Sequence, residues 1–219
     1  MKFFARRTQM EEPAEPKPLP PRVVLDIPTR RKWMTIPASF PDDEDFWQNA
    51  TEWAAEGALV VWGDFHDKGV PMPDPDWQAR TARLLKAAYD AFNDRTARTS
   101  LLFFHDLNRA PIPASFNVFV AELPIKKAYR LFVGDFDPDN VQPPAVETFE
   151  YSGGASGVRA KRFTYTDREA GTVVARVVYY WRRDNVDCQL IATFVDPGEV
   201  EAALPGLDDW ARNTTAYPY

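Results

Sequence analysis

The only two imidazoles in these 219 residues each stand beside aspartate, in Asp64-Phe65-His66-Asp67 and in His105-Asp106. A histidine flanked by carboxylates can act as a general base, or give an imidazole and an oxygen to a metal. No second histidine or cysteine lies near either one. A two-His, carboxylate centre would therefore need the segments 58–62 and 101–104 to be neighbouring strands. Loop histidines with no fixed role are far commoner, so a His/Asp metal-dependent hydrolase is the least favoured function. No catalytic or metal-ligating residue is assigned. Asp135-Phe-Asp137-Pro-Asp139-Asn140 has the alternating acids of a calcium loop. Asn140 stands where such a loop needs glycine and Val146 where it needs a bidentate glutamate, so an Asx-rich turn is expected. Ser152-Gly-Gly-Ala-Ser-Gly157 is glycine-rich but lacks the lysine and following helix of a phosphate loop, and reads as a hairpin connection. Cys188 is the single cysteine. It shares a strand face with Val186, Leu190, Ala192 and Phe194 and is expected to be a buried, inert thiol. It excludes an internal disulfide and a cysteine-rich zinc site. No cofactor is expected.

Charge offers a different chemistry. Residues 42–77 hold ten acids against one base, Lys68, while the rest of the chain is net positive. Such a window can steer a basic partner by long-range attraction, or it can be a solvated helix face with capping acids, which is the commoner case. Six aromatics crowd the same third of the chain: Trp33, Trp47, Trp53, Trp62, Trp77 and Phe65. Most are expected to fill the core, and those left exposed would make an apolar patch. The candidate partner-binding residues are Asp42, Asp43, Glu44, Asp45, Trp47, Glu52, Asp64, Phe65 and Asp67. Arg159, Lys161, Arg162, Arg176, Arg182 and Arg183 make the later strands basic. They read as an anion-binding face, or more simply as an exposed side ion-paired to the acidic first half. The overall charge of −6 argues against nucleic acid as a partner.

These residues must be positioned by a fold of ordinary size. The apolar fraction is 45% and the charged fraction 26%, normal for a globular chain that buries its own core. Residues 1–22 carry proline and glutamate and read as a flexible leader; 23–219 read as one domain. The basic start is interrupted by Arg6 and Arg7, too early for a signal peptide, and no apolar run is long enough to span a membrane. A cytoplasmic location is expected. Strands are predicted at Val23–Ile27 and Trp33–Ile36. A helix is predicted from an Asp43 cap to a stop at Gly57, followed by a strand over 58–62. The loop Gly63–Pro75 leads to a second helix from Asp76 to Asn93. Strands follow at 101–104 and 116–120, then a short helix over 124–133. Four more strands are predicted at 146–151, 158–166, 172–181 and 186–194. A closing helix over Pro197–Asn213 is expected to break at Pro205-Gly206. The fold class is α+β: an antiparallel sheet of about six to seven strands covered by helices.

The last third carries a family resemblance. Phe149-Glu-Tyr-Ser-Gly-Gly154, Gly157-Val-Arg-Ala-Lys-Arg-Phe163, Val177-Val-Tyr-Tyr180, Asp187-Cys-Gln-Leu-Ile-Ala-Thr193 and Leu207-Asp-Asp-Trp-Ala211 follow in order. Together with Trp33–Phe40, this pattern resembles the Mog1/PsbP-like superfamily, in its bacterial LpqN and DcrB-like branches. The resemblance implies an α/β/α sandwich. It also implies a mainly non-enzymatic role, binding proteins or lipidic ligands as an accessory factor or chaperone. Many LpqN-type members are lipoproteins; this chain's one cysteine is Cys188, which rules out a lipobox near Met1.

The expected function is a non-enzymatic binding or accessory protein that engages a protein partner through an acidic, aromatic-rich surface. The alternative is a carrier or binder of an apolar small molecule or lipid. If steering by the acidic window operates, charge reversal at Asp43, Glu44 and Asp45 slows association with a basic partner at low salt. An on-rate that does not change in that variant removes the steering claim.

Overall fold

The alternation of the last third folds as the sequence predicts, and so does the strand at Trp33–Ile36; the segment predicted as a helix to Gly57 and a strand over 58–62 does not. The computed structural model describes residues 32–41, 46–67, 76–91, 99–107, 109–151, 156–183 and 185–214, with the side chains of 64–67 excluded. In chain order the elements are β1 (Trp33–Ile36), α1 (Ala50–Asp67), α2 (Trp77–Ala91), β2 (Thr99–Phe103), β3 (Ile112–Val120) and α3 (Ile125–Phe132). They continue with β4 (Ala145–Glu150), β5 (Ser156–Asp167), β6 (Thr172–Arg183), β7 (Val186–Phe194) and α4 (Val200–Asn213). The predicted strand Val23–Ile27 and the leader 1–22 lie outside the described residues. The strands form one seven-stranded antiparallel sheet in the order β1-β2-β3-β7-β6-β5-β4. The fold class is α+β, with helices on both faces.

Because side chains alternate, each strand feeds two cores. One face lies under α4. There Val186, Cys188, Leu190, Ala192 and Phe194 of β7 meet Val200, Ala203, Leu204, Leu207, Trp210 and Ala211. Trp33 stacks on Phe103 at 4.6 Å between ring centroids and lies 5.2 Å from Trp210. Phe116 packs edge-on against Trp210 at 5.2 Å. A fully buried ring of this size contributes roughly 4–6 kcal/mol of transfer free energy. The opposite face is covered in two places. Helices α1 and α2 bury Trp53, Trp62 and Leu85 against Ile36, Leu102 and Phe104 at the β1–β2 end. Helix α3 buries Ala128 against Val158, Ala160, Val178 and Tyr180 over β5 and β6.

The predicted stop at Gly57 and strand at 58–62 are corrected: α1 runs through both. Its buried residues Trp53, Ala54, Gly57, Ala58, Val61 and Trp62 keep helical spacing without a break. Gly57 is a contact point rather than a cap, since a Cβ there would run into Met34 and Leu85. The helix begins at Asn49, not Asp43. Asn49 Oδ1 accepts from the N–H groups of Thr51 and Glu52, each at 3.0 Å. Gly63–Asp67, predicted as the start of a loop, is the last turn of α1, and the rest of that predicted loop lies outside the described residues.

The predicted break at Pro205-Gly206 does not occur either. Helix α4 passes through Pro205, preceded by a 3-10 turn at Pro197–Glu199. Its buried face outweighs one lost backbone hydrogen bond. Gly206 sits where a Cβ would strike the Phe103 ring. Strand β3 starts earlier than predicted and takes in Pro113. That residue stands opposite Leu102 of β2 and lies just past Ala114, where the pairing with β7 ends.

An exposed helical glycine replaced by alanine gains about 1 kcal/mol. At Gly206 the opposite sign is expected: Gly206→Ala destabilises by roughly 1–3 kcal/mol because the Phe103 ring is held between Trp33 and α4. Denaturant unfolding of the variant gives the sign directly.

Candidate functional site

The sequence-predicted partner residues do not come together as one site. Asp42, Asp43, Glu44 and Asp45 lie outside the described residues. Asp64, Phe65 and Asp67 fall in the last turn of α1, where only the backbone is described. Trp47 and Glu52 are described, and both support the start of α1. The Gln48 N–H donates to Glu52 at 2.7 Å, and Trp47 Nε1 donates to Glu56 at 2.8 Å. The strand pairing that would have joined the two histidines is absent, because 58–62 is helical. His66 belongs to α1, and His105 follows β2 beside the Phe103 ring.

The aspartates of 135–140 turn away from one another, as an Asx-rich turn predicts. Asp135 pairs with Arg130 at 2.7 Å and Asp139 with Arg168 at 2.9 Å. Asp137 pairs with Arg162 and accepts from the Asp139 N–H at 2.9 Å. Among the described residues no group of three or more His, Cys, Asp or Glu side chains is placed to hold a metal ion. Cys188 is fully buried, and burial, with Asp187 beside it, pushes its thiol up to about 12.

The basic residues of the later strands sort by face. Arg159 reaches α4, donating to both oxygens of Asp208 at 2.8 Å, and Lys161 reaches Glu201 at 3.0 Å. On the opposite face Arg182 pairs with the buried Asp187 at 2.6 Å, and Tyr180 donates to the same carboxylate at 2.5 Å. The expected pairing with the acidic first half is therefore corrected: these partners come from α4 and from the sheet itself. Arg176 is different. It makes no hydrogen bond and no ion pair with any described residue.

Arg176 lines a cavity of about 370 Å³, a size suited to a small molecule. The floor is Arg162, Arg176, Val178, Gln189 and Ile191 from β5, β6 and β7. The wall is the C-terminal end of α3 and the loop after it: Leu131, Phe132, Gly134, Phe136 and Asp137. Helix α3 is pinned there, since Gln189 Nε2 donates to the Phe132 carbonyl at 2.8 Å. Gly134 has φ near +75° and lies against the Arg162 guanidinium, so any side chain at this position would displace it. Phe136 is 62% exposed at the rim, with the Arg130 guanidinium 4.4 Å from its ring centroid.

Arg162 and Arg176 are direct partners across the β5–β6 ladder. Arg162 is only 7% exposed. It is compensated by Asp137, and its Nη1 donates to the Val133 carbonyl at 3.5 Å, but its buried Nε has no partner. The Asp137 carboxyl is held below the usual carboxylate range, first by the Asp139 N–H and also by Arg162. Burial and the neighbouring Arg162 pull Arg176 below its ordinary value. It still carries its charge at neutral pH. The site therefore holds two guanidiniums against one carboxylate.

Arg176 was among the basic residues visible in the sequence, but its pairing with Arg162 was missed. A signal was present. Counting four positions back from Thr166 and four on from Thr172, the hairpin ends, places Arg162 opposite Arg176. Nothing in the sequence placed Asp137 or the α3 wall beside them.

No family model matches the chain, and no curated protein is similar to it. Among solved structures, the chain is similar to the crystal structure of LpqN, a protein involved in cell envelope biogenesis of Mycobacterium tuberculosis. The likeness has 15% identity and a TM-score of 0.37, and it covers 55% of this chain and 72% of that one. This is a distant structural relationship. Among the described residues no helix is long and apolar enough to cross a membrane.

Like charges directly opposite in a ladder are destabilising by about 0.2–1 kcal/mol. Arg176→Gln is therefore expected to stabilise the ligand-free protein by that amount at low ionic strength. A lower melting temperature would instead make Arg176 a structural residue.

Proposed function

We propose that this chain is a non-enzymatic binding protein, an accessory domain whose site is the cavity between α3 and the β5–β7 face. One observation carries the reading: the cavity combines an apolar lining with a guanidinium, Arg176, that makes no ion pair or hydrogen bond with any described residue and has nearby only Asp137, which Arg162 already holds. Residues kept apolar and cationic without a structural partner are the composition of a ligand site rather than of a packed core. The ligand is small, because the cavity is enclosed on its floor and on one wall.

A protein partner on α1 is the second reading, and it keeps Trp47 and Glu52. Glu52, Glu56, Leu59 and Val60 lie along one exposed stripe of α1, with the exposed Phe46 just before the helix. Acids beside uncovered apolar side chains suit a basic, partly apolar partner surface.

Binding in the cavity is tested with Nile red, a neutral apolar dye. Its fluorescence is expected to rise with the intact protein. Leu131→Asp, at an exposed position of the wall, should weaken the dye at least fivefold without unfolding the chain. An unchanged affinity in that variant would place the ligand elsewhere.

A further inference from the structure

We infer that the cavity takes a small organic anion, its carboxylate or phosphate head bound by Arg176 and its apolar body lying over Val178 and Ile191 between Leu131 and Phe136. This rests on the binding-protein reading above and adds the charge and shape of the ligand to it.

The charge follows from the partners already in use. Every aspartate of the loop after α3 is engaged: Asp135 by Arg130, Asp139 by Arg168, and Asp137 by Arg162 and the Asp139 N–H. Asp137 lies near enough to attract Arg176 but is already paired with Arg162, so no described carboxylate belongs to Arg176 alone. The two facing guanidiniums share one carboxylate, Asp137, so the site keeps a net positive charge in a partly enclosed space. An uncompensated cation taken out of water is costly unless a counter-charge arrives. A divalent cation would be repelled, and a neutral apolar ligand would shield the guanidinium from water while giving it no partner. A carboxylate or phosphate oxygen pair matches the guanidinium fork in shape and sign.

The body of the ligand follows from the register. Arg162 faces Arg176 in one row of the sheet. Two residues along, Ala160 faces Val178, and Val178 faces Ile191 on β7. Basic and apolar rows are thus roughly 7 Å apart along the strands. A head and a short apolar body fit that spacing; a bare inorganic anion would leave the apolar row uncovered.

The experiment titrates the full chain with octanoate, octyl phosphate and 1-octanol, followed by calorimetry in low-salt buffer. The two anions are expected to bind at least tenfold more tightly than the alcohol. Octanoate leading points to a carboxylate head and octyl phosphate leading to a phosphate head; both support the inference. Arg176→Gln should abolish the preference for anions, and Arg176→Lys, which keeps the charge but not the fork, should retain part of it. If 1-octanol binds as tightly as octanoate, or if Arg176→Gln leaves the preference intact, the anion inference is overturned while the binding-protein reading stands. If none of the three binds and Nile red also fails, both are overturned.

Discussion

Every strand of a sheet carries side chains on two faces, and both faces of this sheet need cover. A single helix, α4, suffices for one face because the strands there present a continuous aromatic and aliphatic surface around Trp33, Phe103, Phe116 and Trp210. The other face is covered from its two sides, by α1 with α2 near β1 and β2 and by α3 over β5 and β6. The strip of floor beside α3 lines the cavity. The cavity, with Arg176 on its floor and Phe136 at its rim, follows from that division of cover.

The side chains on the strip fit this account. Beneath the helices the strands carry Val158, Ala160, Val178 and Tyr180, or Ile36 and Leu102. On the strip they carry Arg162, Arg176 and Gln189 beside Val178 and Ile191. A sheet face built only for stability would place an apolar or oppositely charged residue across from Arg162. It carries a second arginine, a local conflict of the kind that folds tolerate at sites used for something else. The cost is modest compared with burying Trp53, Trp62 and Trp210, so the fold can bear it.

The acidic window had the strongest charge signal in the sequence, yet its described members Glu52 and Glu56 serve the start of α1. Glu52 takes the Gln48 N–H and Glu56 takes the Trp47 indole. Charge content along a chain reports potential, not convergence, and a helix that uses its acids at its own start disperses them. The basic strands behaved differently. Arg159 and Lys161 bind acids on α4, while Arg162 and Arg176 turn to the other face. Alternation alone separates these two sets: the first finds its acids on α4, and the second has only Asp137, which pairs with Arg162.

The sequence by itself determined the four consecutive strands of the last third, the face on which Cys188 lies and the α+β class. Period-two alternation and short turns are local and survive any packing. It also determined that the acids of 135–140 form a turn, because their spacing lacks the glycine and glutamate that calcium requires. Tertiary structure decided whether Gly57 and Pro205-Gly206 stop a helix. At both places a backbone preference worth about 1–3 kcal/mol competes with a buried face worth more, and the sum is visible only once the partner surface exists. Tertiary structure alone also placed Asp137 and the end of α3 beside the Arg162–Arg176 pair. That contact joins residues far apart in the chain, and its geometry depends on where α3 lands on the sheet.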